Sequence, residues 1–251
     1  MSTEAPIDVP ERLRALVSQV TVLRSGDRRP LVRVPDPDTS LLYRRTAAGH
    51  ADLLVAGPRT RATYHVGKDI PLCIRIRLRP GAARPLFGVA VGELVDRVVL
   101  LEELWDDAPP APTGGPARIL RHLETALLRR LAARSSSEVA RGELVRAAAE
   151  ALEGRPGRRR EPLPALARRL AVSERHLRDV FADGVGLPPK RFERIGRVRS
   201  VLAQGRRAPW GQLAAAAGYY DQSHMTAEFR DLMGVTPGAF FAGRLPTLEA
   251  C

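Results

Sequence analysis

Two nine-residue stretches, Ser173-Glu174-Arg175-His176-Leu177-Arg178-Asp179-Val180-Phe181 and Asp221-Gln222-Ser223-His224-Met225-Thr226-Ala227-Glu228-Phe229, lie 48 positions apart and place hydrogen-bonding side chains at matching offsets. Guanidinium, amide, hydroxyl and imidazole groups in such a row suit phosphate oxygens and base edges. Their chemistry is recognition rather than bond-making. The register continues downstream: Gly186-Leu187-Pro188-Pro189 falls on Gly234-Val235-Thr236-Pro237, and Phe192 falls on Phe240. One period with two copies argues for a single supersecondary unit used twice.

Residues for bond-making are not assembled. The sequence has no GxSxG, HExxH, P-loop or paired-carboxylate arrangement. Cys73 and Cys251 are far apart and outside any CxxC, which indicates neither a disulfide framework nor a zinc cluster. His50 and His65 are isolated and read as ordinary loop or strand residues. No enzyme activity, cofactor or metal is expected.

The formal charge of +12 calls for an anionic partner, nucleic acid or an acidic membrane surface. Its distribution is more telling. Residues 155–207 hold 15 basic and 5 acidic side chains, a net of +10, whereas residues 208–251 hold 2 and 4, a net of −2. The excess surrounds the first copy of the repeat. An acidic N-terminus without an apolar segment does not read as a signal peptide, and no run approaches the roughly 18 apolar residues of a membrane span. A soluble, cytoplasmic protein is expected.

The elements that must position the repeat begin with a β-rich region. Glu11 to Val22 reads as an amphipathic helix or as a helix passing into a strand. From Leu31, short apolar runs alternate with turn formers: Leu31 to Val34, Ser40 to Arg44, Ala51 to Val55 and Thr60 to Val66. The clearest strand is Leu72 to Leu78, with Leu72, Ile74, Ile76 and Leu78 on one face and Cys73, Arg75, Arg77 and Arg79 on the other. That arginine row is either a solvated face or the lining of a pocket for an acidic effector, with Arg75 and Arg77 as its candidates. A further segment, Val95 to Leu101, precedes a proline- and glycine-rich boundary at 109–116. Two helices follow, one with Ile119, Leu120, Leu123, Leu127, Leu128 and Leu131 at helical spacing, the other from Glu138 to Leu152. They could pack on the β region or form a dimer seam.

A basic linker at 154–160 leads into the repeat. Leu163, Leu166, Ala167 and Leu170 make a short helix, Ala171-Val172 a tight connection, and Ser173 an N-cap for the next helix. Leu177, Val180 and Phe181 face inward there. Trp210, Leu213, Ala214 and Ala217, then Gly218, then Asp221 as cap, with Met225, Phe229 and Leu232 inward, repeat the plan. Helix, short turn, helix with a polar outer face is the helix-turn-helix pattern, whose second helix lies in the major groove. Pro188 to Gln204 reads as a spacer helix of roughly 25 Å that sets the two reading helices about one DNA turn apart. Its basic face carries Lys190, Arg191, Arg194, Arg197 and Arg199, an expected site of phosphate neutralisation.

With these residues in view, positions 161–242 resemble the AraC/XylS family of transcriptional regulators, most specifically through Ala217-Gly218-Tyr219-Tyr220-Asp221-Gln222-Ser223-His224-Met225, Phe229 and Gly234-Val235-Thr236-Pro237. The resemblance implies base contacts from Arg175 and Arg178 in the first unit and from Gln222, Ser223 and Thr226 in the second. Ser173, His176, Lys190, Arg191, Arg194, Asp221, His224 and Arg230 would face phosphates. Asp179 and Ala227 depart from the arginine frequent at their position in that family. Ala56-Gly57-Pro58, Arg77 to Ala83 and Leu94 to Trp105 resemble, less specifically, the cupin-like sensory half of such regulators.

The expected fold is therefore α+β: an antiparallel β-barrel or sandwich over 1–108 for effector binding or self-association, a helical linker over 116–153, and an all-α tandem helix-turn-helix domain over 158–244. The expected partners are double-stranded promoter or operator DNA, a small-molecule effector, RNA polymerase and a second copy of the chain, with no membrane. A sequence-independent architectural DNA binder and a DNA-repair enzyme carrying a similar DNA-binding unit are the competing functions.

Overall fold

A computed structural model of the protein describes residues 3–25, 30–67, 70–153, 161–205 and 208–249. The basic linker expected at 154–160 lies outside the described residues. The described residues of the first half contain eight strands: β1 (Thr3–Ile7), β2 (Val17–Ser25), β3 (Leu31–Arg33), β4 (Ser40–Arg45), β5 (Ala51–Ala56), β6 (Thr63–His65), β7 (Ile70–Leu78) and β8 (Val98–Leu100). Six of them form one antiparallel sheet in the order β1-β2-β7-β4-β5-β8, and β3 pairs with β6 as a separate two-stranded ribbon. Pro35 and Pro37 follow β3 and lack the donors a longer ladder would need. The segment Glu11 to Val22 resolves into a 3-10 turn at Glu11–Leu13 and then β2.

The period-2 pattern of β7 is realised as expected on its apolar side. Leu72, Ile74, Ile76 and Leu78 are buried, and Ile76 stands opposite Val20 on β2 and Leu41 on β4. The other side of the strand is partly covered. Arg75 and Arg77 are half-buried, and Arg77 is held by Asp36 at 2.6 Å and Asp38 at 2.7 Å. Burial disfavours its charge, yet the two aspartates hold the guanidinium above its ordinary range. The half-buried charge has its counter-ions within the chain, as buried charge must.

Nine helices complete the described fold: α1 (Ala83–Phe87), α2 (Pro116–Ala132), α3 (Ser136–Leu152), α4 (Leu163–Arg169), α5 (Glu174–Val185), α6 (Pro189–Gln204), α7 (Trp210–Ala216), α8 (Gln222–Met233) and α9 (Pro237–Phe241). The two linker helices serve different cores. The stripe of α2, with Ile119, Leu120, Leu123 and Leu127, packs with the sheet's buried face and α1. Trp105 closes this core, its indole N–H donating to the Leu86 carbonyl at 2.8 Å and its ring lying under Arg130. The buried face of α3, with Val145, Ala148, Ala149 and Leu152, belongs instead to the core of α4–α9. A capping box at Ser135 and Glu138 starts α3 where the serines break the helical run. No described helix is long and apolar enough to cross a membrane.

Candidate nucleic-acid interface

The repeat folds as two helix-turn-helix units, α4–α5 and α7–α8, joined by α6. Each second helix begins on a side-chain cap: Ser173 Oγ accepts from the His176 N–H at 3.1 Å, and Asp221 Oδ1 from the His224 N–H at 2.7 Å. Each ends on a left-handed glycine, Gly186 or Gly234. The inward residues correspond as Leu177 with Met225, Val180 with Glu228 and Phe181 with Phe229, all buried. The first helices, however, are offset by 47 residues, since α4 starts after Pro162 and α7 after Pro209. The second turn is thus one residue longer.

Hydrogen bonds locate the insertion. Val172 N–H donates to the Ala167 carbonyl and Tyr219 N–H to the Ala214 carbonyl, so Tyr219 is the counterpart of Val172 and Tyr220 is the extra residue. The residue before each of these two sits in the left-handed region, Ala171 at φ 55° and Gly218 at φ 81°. Alanine there costs about 1 kcal/mol. Ala171→Gly is accordingly expected to raise stability by about 0.5 kcal/mol after glycine's entropy loss, read as a higher urea midpoint with unchanged slope.

The expected base readers are accessible. Arg175 is 93 % exposed with Asp179 4.0 Å away, and Arg178 is 55 % exposed and bound to Glu174 at 2.8 Å. Gln222 and Ser223 are exposed at the start of α8, and Thr226 is half-buried. Of the residues assigned to phosphates, Ser173, His176, Lys190, Asp221, His224 and Arg230 are exposed. Ser173 and Asp221 already act as caps, and the His224 ring lies edge-on to Tyr219.

The rest of the spacer's basic row is engaged by protein groups. Arg191 donates to the Thr60 carbonyl at 3.4 Å and Arg199 pairs with Asp36 at 3.2 Å. Arg194 binds Glu228 at 3.0 Å and Asp231 at 2.7 Å, and Arg197 binds Glu228 at 2.6 Å while lying over the Tyr219 ring. Glu228 is 6 % exposed. Burial alone would push its carboxyl up, but the guanidinia of Arg197 and Arg194 hold it below the ordinary range. The repeat register places Glu228 on Val180, a core position, which is the signal in the sequence for this buried carboxylate.

The N-terminal half holds this domain from behind. Ala62 N–H donates to the Leu232 carbonyl, the Tyr64 hydroxyl donates to the Met233 carbonyl at 2.6 Å, and Arg61 pairs with Asp231. At the far end of α5, Asp183 is bound by Arg84. These contacts fall at helix ends and along α6, clear of the exposed readers. The geometry therefore offers two polar helix faces to solvent on a back-supported frame.

A family model described as a helix-turn-helix domain matches residues 166–243. No curated protein matches the chain. Among solved structures, similarity extends to the C-terminal domain of AraT, a response regulator from Geobacillus stearothermophilus, at 20 % identity over 43 % of this chain and 91 % of that one (TM-score 0.37). It also extends to the DNA-binding domain of the global transcriptional factor AdpA in complex with a target DNA, at 22 % identity over 41 % and 90 % (TM-score 0.35). ToxT from Vibrio cholerae aligns over 91 % of this chain and 99 % of its own at 9 % identity (TM-score 0.43).

Proposed function

We propose that the protein is a sequence-specific transcriptional regulator of the AraC type, whose α5 and α8 read adjacent major grooves of one operator; residues 166–243 match a helix-turn-helix domain model. The observation that carries this reading is the pair of capped helices, each with a buried inner face and a polar outer face left in solvent. Arg175 and Arg178 suit guanine edges and Gln222 an adenine edge, with Ser223 and Thr226 beside it. Lys190, Arg230, His176 and His224 border these readers and suit phosphates. Arg191 and Arg194 would reach phosphates only by leaving Thr60, Glu228 and Asp231.

The β-rich half is assigned to sensing an effector or to pairing with a second copy. Arg75 and Arg77 are the candidates for an acidic effector, Arg77 being already paired with Asp36 and Asp38.

Footprinting of the DNA upstream of the protein's own gene tests the regulator reading. The expected result is a protected site of about two helical turns, held with a specificity ratio of about 10³ or more over unrelated DNA. Uniform affinity for all duplexes with a steep salt dependence would favour an architectural binder instead.

A further inference from the structure

We propose that Tyr220 is a DNA-contacting residue of the second unit, its ring packing on deoxyribose at the groove margin beside the start of α8, and that it supplies a hold that the unit's charge does not. This rests on the DNA-binding reading above. Tyr220 is the inserted residue of the second turn, without a counterpart in the first, and at 95 % exposure it is the most exposed large hydrophobic side chain described.

The turn that presents it is fixed on both sides. Tyr219 turns the opposite way, its ring buried beneath Arg197 and edge-on to His224, and its N–H bound to the Ala214 carbonyl at 2.9 Å. On the other side Asp221 caps α8. Tyr220 therefore projects from a rigid corner rather than a loose loop, and a tyrosine, with two side-chain torsions, loses little freedom on contact. Its neighbours are Gln222 and Ser223, at the end of a recognition helix whose first residues meet base edges. Tyr220 stands two residues ahead of Gln222, where the chain would pass the sugar-phosphate wall as Gln222 and Ser223 meet base edges.

Charge explains why an aromatic is needed there. Residues 208–251 contain two basic side chains, Arg230 and Arg244, against Asp221, Glu228, Asp231 and Glu249. The first unit has Arg168, Arg169, Arg175 and Arg178. A unit that gains little affinity by releasing counter-ions gains it from neutral contact, and neutral contact has a distinct signature. Each phosphate neutralised contributes about 0.9 to the slope of log K against log salt, whereas ring packing contributes nothing to it.

The experiment measures affinity of the full chain for its footprinted duplex by fluorescence anisotropy across a salt series. Tyr220→Ala is expected to weaken binding about tenfold at every salt concentration, with an unchanged slope and an unchanged melting temperature, while Tyr220→Phe stays within about twofold of wild type. Wild-type affinity in Tyr220→Ala, a shallower slope, or an equal loss in Tyr220→Phe would overturn the proposal while leaving the regulator intact. A wild-type chain that protects no site overturns the DNA-binding reading itself.

Discussion

Glu228→Gln is expected to destabilise the protein by about 2–4 kcal/mol, a fall in melting temperature of roughly 4–16 °C for a chain of this size. The substitution keeps the shape and removes the charge that Arg194 and Arg197 share. Arg194 retains Asp231, but Arg197, at 15 % exposure, loses the only acidic partner described for it. A buried guanidinium left without a counter-ion costs more than the lost pair was worth. A melting temperature within about 1 °C of wild type would show that the network holds nothing together.

The effect should vanish in acid. The Glu228 carboxyl is held below its ordinary range in the fold, so it contributes stability that is full above the unfolded value of about 4.3 and is lost as pH falls through the folded value. Wild type and Glu228→Gln should therefore differ most near neutrality, begin to approach each other below about pH 4.3, and converge only once pH falls below the depressed folded value of the Glu228 carboxyl. Asp231, lowered by its hydrogen bond from Arg194, follows the same sign.

This network also shows what the sequence could and could not disclose. The tandem units were legible because their helices carry an apolar face at fixed spacing, a capping residue and a terminal glycine, all local features. The spacer helix was legible too, but the destination of its arginines was not: a row at helical spacing looks the same whether it meets phosphate, Glu228 or the Thr60 carbonyl. Tertiary contact decides that. Val180 and Glu228 do share a repeat position, and a carboxylate aligned with a core valine is a signal of a buried ion pair. The offset of 48 holds from Ser173 onward, and the insertion at Tyr220 shows only when α4 and α7, 47 residues apart, are set beside it. In the first half, alternation identified β7 and its buried face. It could not show that Asp36 and Asp38 would fold over Arg77, nor that α2 and α3 would divide between two cores.

On the proposed operator, Arg175→Ala is expected to weaken binding by about tenfold or more, Arg178→Ala by less, and Gln222→Ala least. The order follows from what each side chain must give up. Arg175 stands in solvent with Asp179 only loosely near, so it meets a guanine edge or a phosphate without breaking a close internal pair. Arg178 must first leave Glu174, 2.8 Å away, and the carboxylate it leaves would then face the DNA. Gln222 is free to rotate but neutral, and it belongs to the unit with net negative charge. Anisotropy at one fixed salt concentration gives the ranking, and repeating it across salt separates the roles: the arginine variants should flatten the slope only if they neutralise phosphate, whereas a guanine contact shows instead as relaxed preference at one base pair. If Gln222→Ala loses as much as Arg175→Ala, the second unit reads sequence as strongly as the first. Charge would then mark where the DNA is gripped, not where it is read.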